Sequence, residues 1–286
     1  MNRRSFIESS FASALMATRP AWSVVGTHSI RTIGLQLYTV RGSMEKDFEG
    51  TIAKVAAIGY REVEFAGYFD HPPKKVRANL DRHGLAAPSA HIDYEIVEKQ
   101  WPQTLDAAHI VGHAYLICSE VEESQRNQTG GWKRAADLFN RAGEASQKAG
   151  IQFGYHNHSF EFEPAKSLGG KMPYDFLLAE TDPQLVQLEM DLCWITVGGQ
   201  DPLTYFDRYP GRFPLVHVKD WKDGKGKESD QSTKMADVGS GNIDWKRIFA
   251  QSGKAGIRHY FVEHDEPKSP FDSIRASFDY LRDLRF

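Results

Sequence analysis

The chain has 286 residues, of which 41% are hydrophobic and 26% charged, with a formal net charge of −3. That composition describes an ordinary globular protein. With no clustered basic surface to neutralise phosphates, nucleic acid is excluded as the main partner. No apolar run approaches the ~20 residues that cross a membrane.

The N-terminus reads as an address. Arg3-Arg4-Ser5-Phe6-Ile7 resembles a twin-arginine export motif, a mildly apolar stretch runs from Phe11 to Ala17, and small residues follow near Ala21-Trp22-Ser23. Residues 1–28 are therefore expected to be an export leader and 29–286 a single domain. The expected location is periplasmic or exported, with a cytoplasmic location as the alternative. Cys118 and Cys193 lie in apolar runs assigned to non-neighbouring strands, so both read as buried thiols without a bridge.

Strand and helix patterns then alternate. Strands are predicted at 33–38, 60–65, 86–92, 114–118, 151–156, 186–191, 215–219 and 260–263. Helices are predicted at 47–58, 73–83, within 94–111, and at 132–149, 174–181, 202–209, 245–251 and 271–284. Gly59, Gly84, Gly112 and Gly150 stand where helices should end. Eight strands, each followed by a helix, imply a parallel sheet with right-handed crossovers that closes as a (β/α)8 barrel. An open doubly wound sheet is the alternative, weakened because no Gly-x-Gly-x-x-Gly follows the first strand. Two polar insertions, 119–131 and 222–242, follow strands and read as loops over the active-site face.

In such barrels function collects where strands end. The segment 153–163 ends its strand with His156, Asn157, His158, Glu161 and Glu163; in an extended strand His156 and His158 point the same way. Later strands end with Glu189 and Asp191, with His217, Lys219 and Asp220, and with Glu263, His264 and Asp265. Imidazoles mixed with carboxylates suit one borderline divalent ion, Mn²⁺, Co²⁺ or Zn²⁺. Such an ion could polarise a sugar carbonyl while a carboxylate takes the neighbouring proton. Lys219 shares a strand face with His217 and could bind a substrate oxygen or an oxyanion. Glu64 and His91 end earlier strands and are expected, with His158, Lys219 and Trp194, to contact substrate. Tyr38 and Trp221 are further candidates for stacking on a sugar face.

Four segments carry a family resemblance: Gly-Tyr-His-Asn-His-Ser-Phe-Glu-Phe at 154–162, Glu-Met-Asp-Leu-Cys-Trp at 189–194, His-Val-Lys-Asp at 217–220 and Phe-Val-Glu-His-Asp at 261–265. Together they resemble the sugar phosphate isomerase/epimerase family, the xylose isomerase-like TIM barrels, over nearly all of the chain after residue 30. The resemblance implies a metal held by Asp191, His217 and Glu263 with a fourth ligand from strand five, the position at which His156 is expected to serve. There this chain departs from the pattern: His156 stands where many relatives carry a glutamate. Loss of that glutamate disfavours two-base epimerisation unless Glu161 or Glu163 folds inward.

The expected activity is therefore a carbohydrate isomerase or epimerase working through an enediolate. Glu263 is the candidate ligand-base, and His156 and Lys219 complete the catalytic set. A keto-glycoside lyase or hydrolase on the same site is the alternative, as is a sugar-binding barrel without turnover. An apurinic endonuclease on this barrel is opposed by the acidic balance and the single ligand set. A small carbohydrate is the expected partner, and homo-oligomerisation is left open.

Overall fold

The computed structural model describes residues 28–223, 226 and 228–286. Apart from His28, the expected leader lies outside the described residues. The described strands are β1 (Gly34–Gln36), β2 (Glu62–Ala66), β3 (Ala86–Ile92), β4 (Tyr115–Cys118), β5 (Gln152–His156), β6 (Val186–Asp191), β7 (Leu215–Val218), β8 (Asp220–Trp221), β9 (Met235–Ala236) and β10 (His259–Val262). Eight of them close into a barrel in the order β1-β10-β7-β6-β5-β4-β3-β2, and every neighbouring pair is parallel. β8 and β9 form a separate antiparallel ribbon at the insertion after β7. The closed barrel excludes the open doubly wound sheet. Among the described residues no helix is long and apolar enough to cross a membrane.

Alternation along each strand builds two cores. On β7, Val216 and Val218 join the large cluster between sheet and helices, whereas Leu215 packs with Tyr115, Ile117 and Phe261 inside the barrel. Two glycines make room for that inner packing. A Cβ on Gly34 would lie 2.5 Å from the Phe261 ring, and one on Gly154 would lie 2.5 Å from Ile117 Cδ1. Above this apolar layer, the same alternation aims His156, Glu189 and His217 into the barrel.

Local chemistry moves several boundaries from their expected places. The predicted helix within 94–111 is two helices, Tyr94–Lys99 and Trp101–Val111. Pro102 has no N–H to continue the first helix, so the chain restarts. The first strand is only three residues long, because the Gln36 side chain accepts from Tyr38 N and turns the backbone into the 3-10 helix Leu37–Val40. Cys193 lies in a helix, Leu192–Val197, and not in a strand: Asp191 Oδ1 accepts from the amides of Cys193 and Trp194 and caps that helix directly after β6. Both cysteines are buried and free.

Gly154→Val should overpack the inner layer against Ile117 and the Gln187 carbonyl, 3.2 Å away. A loss of about 1–3 kcal/mol is expected by urea denaturation; unchanged stability would mean that the inner layer can yield.

His113, which enters β4, is a second test. Its Nδ1 lies 2.7 Å from the Ala87 carbonyl and its Nε2 2.9 Å from the Tyr68 hydroxyl. Burial pushes its pKa down to about 4. The unfolded chain therefore takes up this proton first, near pH 6.5, and stability is lost as pH falls from there towards 4. This one group accounts for at most about 3 kcal/mol. Denaturation of His113→Gln at pH 7 and pH 4.5 should show a shallower acid loss than the parent chain; equal losses would assign the acid sensitivity elsewhere.

Candidate metal and catalytic site

The strand ends deliver two layers of polar groups into the barrel mouth. In the lower layer three imidazoles converge on one oxygen, Glu189 Oε2. His91 Nε2 lies 2.6 Å from it, His156 Nδ1 3.1 Å and His217 Nε2 3.3 Å. Register explains the meeting: His156 sits beside Glu189 across β5 and β6, and Asp191 beside His217 across β6 and β7. Glu64 closes the layer from β2. Its Oε2 lies 2.6 Å from His217 Nε2 and accepts from Gln36 Nε2 at 2.8 Å.

The upper layer is organised by Lys219. Its Nζ lies 3.0 Å from Asp191 Oδ2, 2.8 Å from Glu263 Oε2 and 2.9 Å from Asp265 Oδ1. The ammonium also sits 5.5 Å from the centre of the Trp194 ring. His217 Nδ1, 2.7 Å from Glu263 Oε2, ties the two layers together.

Burial and mutual charge set the protonation pattern. Burial pushes Glu189 up to about 7, against the pull of His217. Burial also raises Glu64, with Glu189 adding to the rise. Burial opposes the charged form of His217, but Glu189 and Glu263 outweigh it and hold the imidazole well above its usual range. His156 is driven well below that range by burial and by the neighbouring His217 and His91. Burial alone would raise Glu263; Lys219 and His217 overcome it and hold the carboxyl low. Asp265 is pushed up to about 6, chiefly by burial.

A cavity of about 750 Å³ opens onto these layers, within the ~300–1,000 Å³ of small-molecule sites. Its wall includes Tyr38, His91, His156, His158, Trp194, Lys219, Glu263 and Asp265. Of the residues expected to touch substrate, Glu64 does not reach this wall. It is fully buried and turned to Gln36 and His217. Trp221 packs against Trp194, with ring centres 5.6 Å apart. Glu161 does not fold towards the cluster; it accepts from the Tyr155 hydroxyl and the His158 amide, and Glu163 is exposed. Asp220, the other acid beside Lys219 in sequence, instead pins the loop, accepting from Gly239 N, Ile243 N and Trp245 Nε1.

Two residues gain weight over the sequence reading. Glu189 was only one of two acids at the end of β6, and Asp265 lies on a loop beyond β10. Glu189 could have been singled out by its shared face with Asp191; nothing in the sequence marked Asp265 as a partner of Lys219.

The donors present fit a divalent ion. Two sets have ligand atoms within 4.8 Å of one another among the described residues: His91, His156, Glu189 and His217, and Asp191, His217 and Glu263. Glu64 Oε1 and Glu189 Oε1 are buried without a hydrogen-bonding partner. Mixed imidazole and carboxylate donors suit a borderline ion better than Mg²⁺ or Ca²⁺.

Known proteins agree with this architecture. An inosose dehydratase from Lacticaseibacillus casei is 26% identical over 271 residues, spanning 83% of this chain and 89% of the relative. One from Geobacillus thermodenitrificans is 25% identical over 273 residues, spanning 84% and 90%. The crystal structure of a sugar phosphate isomerase/epimerase from Parabacteroides distasonis superposes with a TM-score of 0.74 at 27% identity, covering 92% of this chain and 98% of that one. The profile describing the xylose isomerase-like TIM barrel matches residues 52–284. With that match covering most of the sequence, the chain belongs to the xylose isomerase-like TIM barrel family.

Proposed function

We propose that this chain is a metal-dependent lyase that eliminates a leaving group from a keto-carbohydrate. The observation that carries the reading is the grouping of Glu263, Asp265 and Lys219 at the cavity wall, three groups whose surroundings drive them to different protonation states. The similarity to inosose dehydratases supports elimination over the isomerase or epimerase chemistry expected first, as does the histidine that replaces a second glutamate on β5.

A divalent ion held by donors drawn from His91, His156, Glu189, Asp191, His217 and Glu263 would supply Lewis acidity towards the substrate carbonyl. Glu263, kept ionised by Lys219 and His217, takes the proton from the carbon next to that carbonyl. The C–H electron pair forms a carbon–carbon double bond as the adjacent C–O bond breaks. Asp265, whose carboxyl is raised to about 6, gives its proton to the departing oxygen. Water or an alcohol leaves, the product is a conjugated enone, and solvent returns a proton from Glu263 to Asp265. Lys219 stays charged, because Asp191, Asp265 and Glu263 together outweigh burial, and holds the Glu263 and Asp265 carboxyls in place. His158, pushed down to about 3 chiefly by burial, is neutral and can accept a hydrogen bond from substrate.

Isomerisation is the second reading, favoured by the similarity to the Parabacteroides distasonis protein. A twin-arginine leader over residues 1–28 would carry the folded, metal-loaded enzyme out of the cytoplasm, a location suited to cleaving oxidised glycosides.

Incubating the metal-loaded protein with a ketocyclitol or a keto-glycoside in D2O tests the proposal. Enone absorbance should grow. Glu263→Gln should lose deuterium uptake and elimination together, by roughly 10²–10⁴-fold. Asp265→Asn should retain uptake and lose elimination. Deuterium uptake with an epimer or isomer and no enone would replace lyase with isomerase, and no uptake at all would leave a sugar-binding barrel.

A further inference from the structure

We infer that the cavity has two ends, and that the end remote from Lys219 receives the neutral ring that departs on the oxygen of a keto-glycoside. The inference rests on the lyase reading and extends it to the leaving group.

Size opens the case. A six-membered sugar ring with its substituents has about 12 heavy atoms. Even at the ~30 Å³ that each water molecule takes in the liquid, such a ring fills no more than about half of the roughly 750 Å³ present.

Strand order tells where the other half lies. β10, β1, β2 and β3 are successive neighbours round the barrel. The segments just past their ends bring Asp265, Tyr38, Tyr68 and Asp93 to the cavity wall. Beyond Asp93 the wall continues along Ile96 of the helix Tyr94–Lys99 and along Thr104 and Ala107 of the helix Trp101–Val111. Thr104 and Ala107 are three residues apart and so share one helix face. The acid assigned to the departing oxygen therefore stands where this arm begins. Arg41 fastens the junction: its Nη1 donates to the Tyr38 and Asp265 carbonyls, at 2.8 Å each, and its guanidinium lies 3.9 Å from the centre of the Tyr38 ring.

The arm is a built surface. The Tyr68 hydroxyl lies 2.9 Å from Nε2 of the buried His113, and the Phe65 ring crosses the Tyr68 ring with centres 5.6 Å apart. The next two residues, Phe69 and Asp70, have φ of 52° and 59°. Side chains of that kind keep a left-handed backbone only where the surrounding fold imposes it. Gly67, just before, leaves open space; a Cβ there would meet nothing within 4 Å. Tyr68, Ile96 and Ala107 offer apolar surface to the face of a ring, and Thr104 and Gln100 offer hydrogen bonds to its hydroxyls.

The same wall opposes a phosphorylated substrate. Among the described residues Lys219 is the only lysine or arginine on it, and three carboxylates already surround that ammonium. Asp93 and Glu120 add further acids to the wall. A phosphate would meet carboxylates with no free cation to offset them.

Calorimetric titration of the metal-loaded protein with methyl glucoside, phenyl glucoside, cellobiose and glucose 6-phosphate tests the arm. None of these carries the ketone, so each is read without turnover. Phenyl glucoside or cellobiose should bind at least about tenfold more tightly than methyl glucoside, and the tighter of the two tells whether the departing ring is aryl or sugar. Ala107→Trp and Thr104→Trp, each filling the arm from its helix, should bring that ratio to within about twofold. Equal affinities in the wild-type protein, a ratio that survives both substitutions, no measurable binding of either extended glycoside, or tightest binding by glucose 6-phosphate would each overturn the assignment of the arm. All four leave the enone test of the lyase reading as it stands. Absence of enone with the ratio intact would overturn the lyase reading and keep the arm.

Discussion

Charge balance in the barrel mouth is the constraint on which the site depends. Glu64, Glu189, Asp191, Glu263 and Asp265 are all buried there, with Lys219 the one amine among them and His217 drawn into its protonated form. Buried charges persist only when paired. Burial raises the carboxyls of Glu189 and Asp265, whereas Lys219 and His217 hold Glu263 low. A divalent cation would offset the buried negative charge and free those carboxyls for ligation and proton transfer. In the proposed mechanism, metal affinity, the ionisation of the base and the protonation of the acid all follow from this one electrostatic problem.

The barrel solves the placement side of that problem with strand register. Alternation decides which residues face inwards, and stagger between neighbouring strands decides their depth. His156 lies beside Glu189, and Asp191 one step higher lies beside His217. A single strand thus supplies a carboxylate to each layer. Lys219, two residues beyond His217, reaches the upper layer from just past the end of β7. Asp220, next in sequence, points away and fastens the loop that carries the β8–β9 ribbon.

Much of this could be read from the chain before any coordinates. Eight alternating apolar runs, helix-closing glycines and acid or imidazole side chains at successive strand ends led to the closed barrel and to its mouth. Depth could not be read. Glu189 and Asp191 share a strand face two residues apart, and only the stagger of the closed sheet decides that one meets His156 and the other His217. His91 was expected at the sugar; its ring lines the cavity, and its Nε2 also meets Glu189 Oε2, a contact the sequence did not mark. The lysine cage depends on Asp265, which belongs to a loop with no periodic pattern. Cys193 read as strand because its neighbours are apolar; the cap from Asp191 turned the chain into a helix.

The two glycines beneath the site have a lasting effect. Gly34 and Gly154 let the Phe261 ring and the Ile117 side chain occupy the centre of the barrel, so the ground under Glu64 and His217 is solid hydrocarbon. Bulkier residues at either glycine collide with these side chains. New substrates must therefore be accommodated from the rim, by changing loops such as 119–131 and 222–242, while the reactive centre beneath stays as it is.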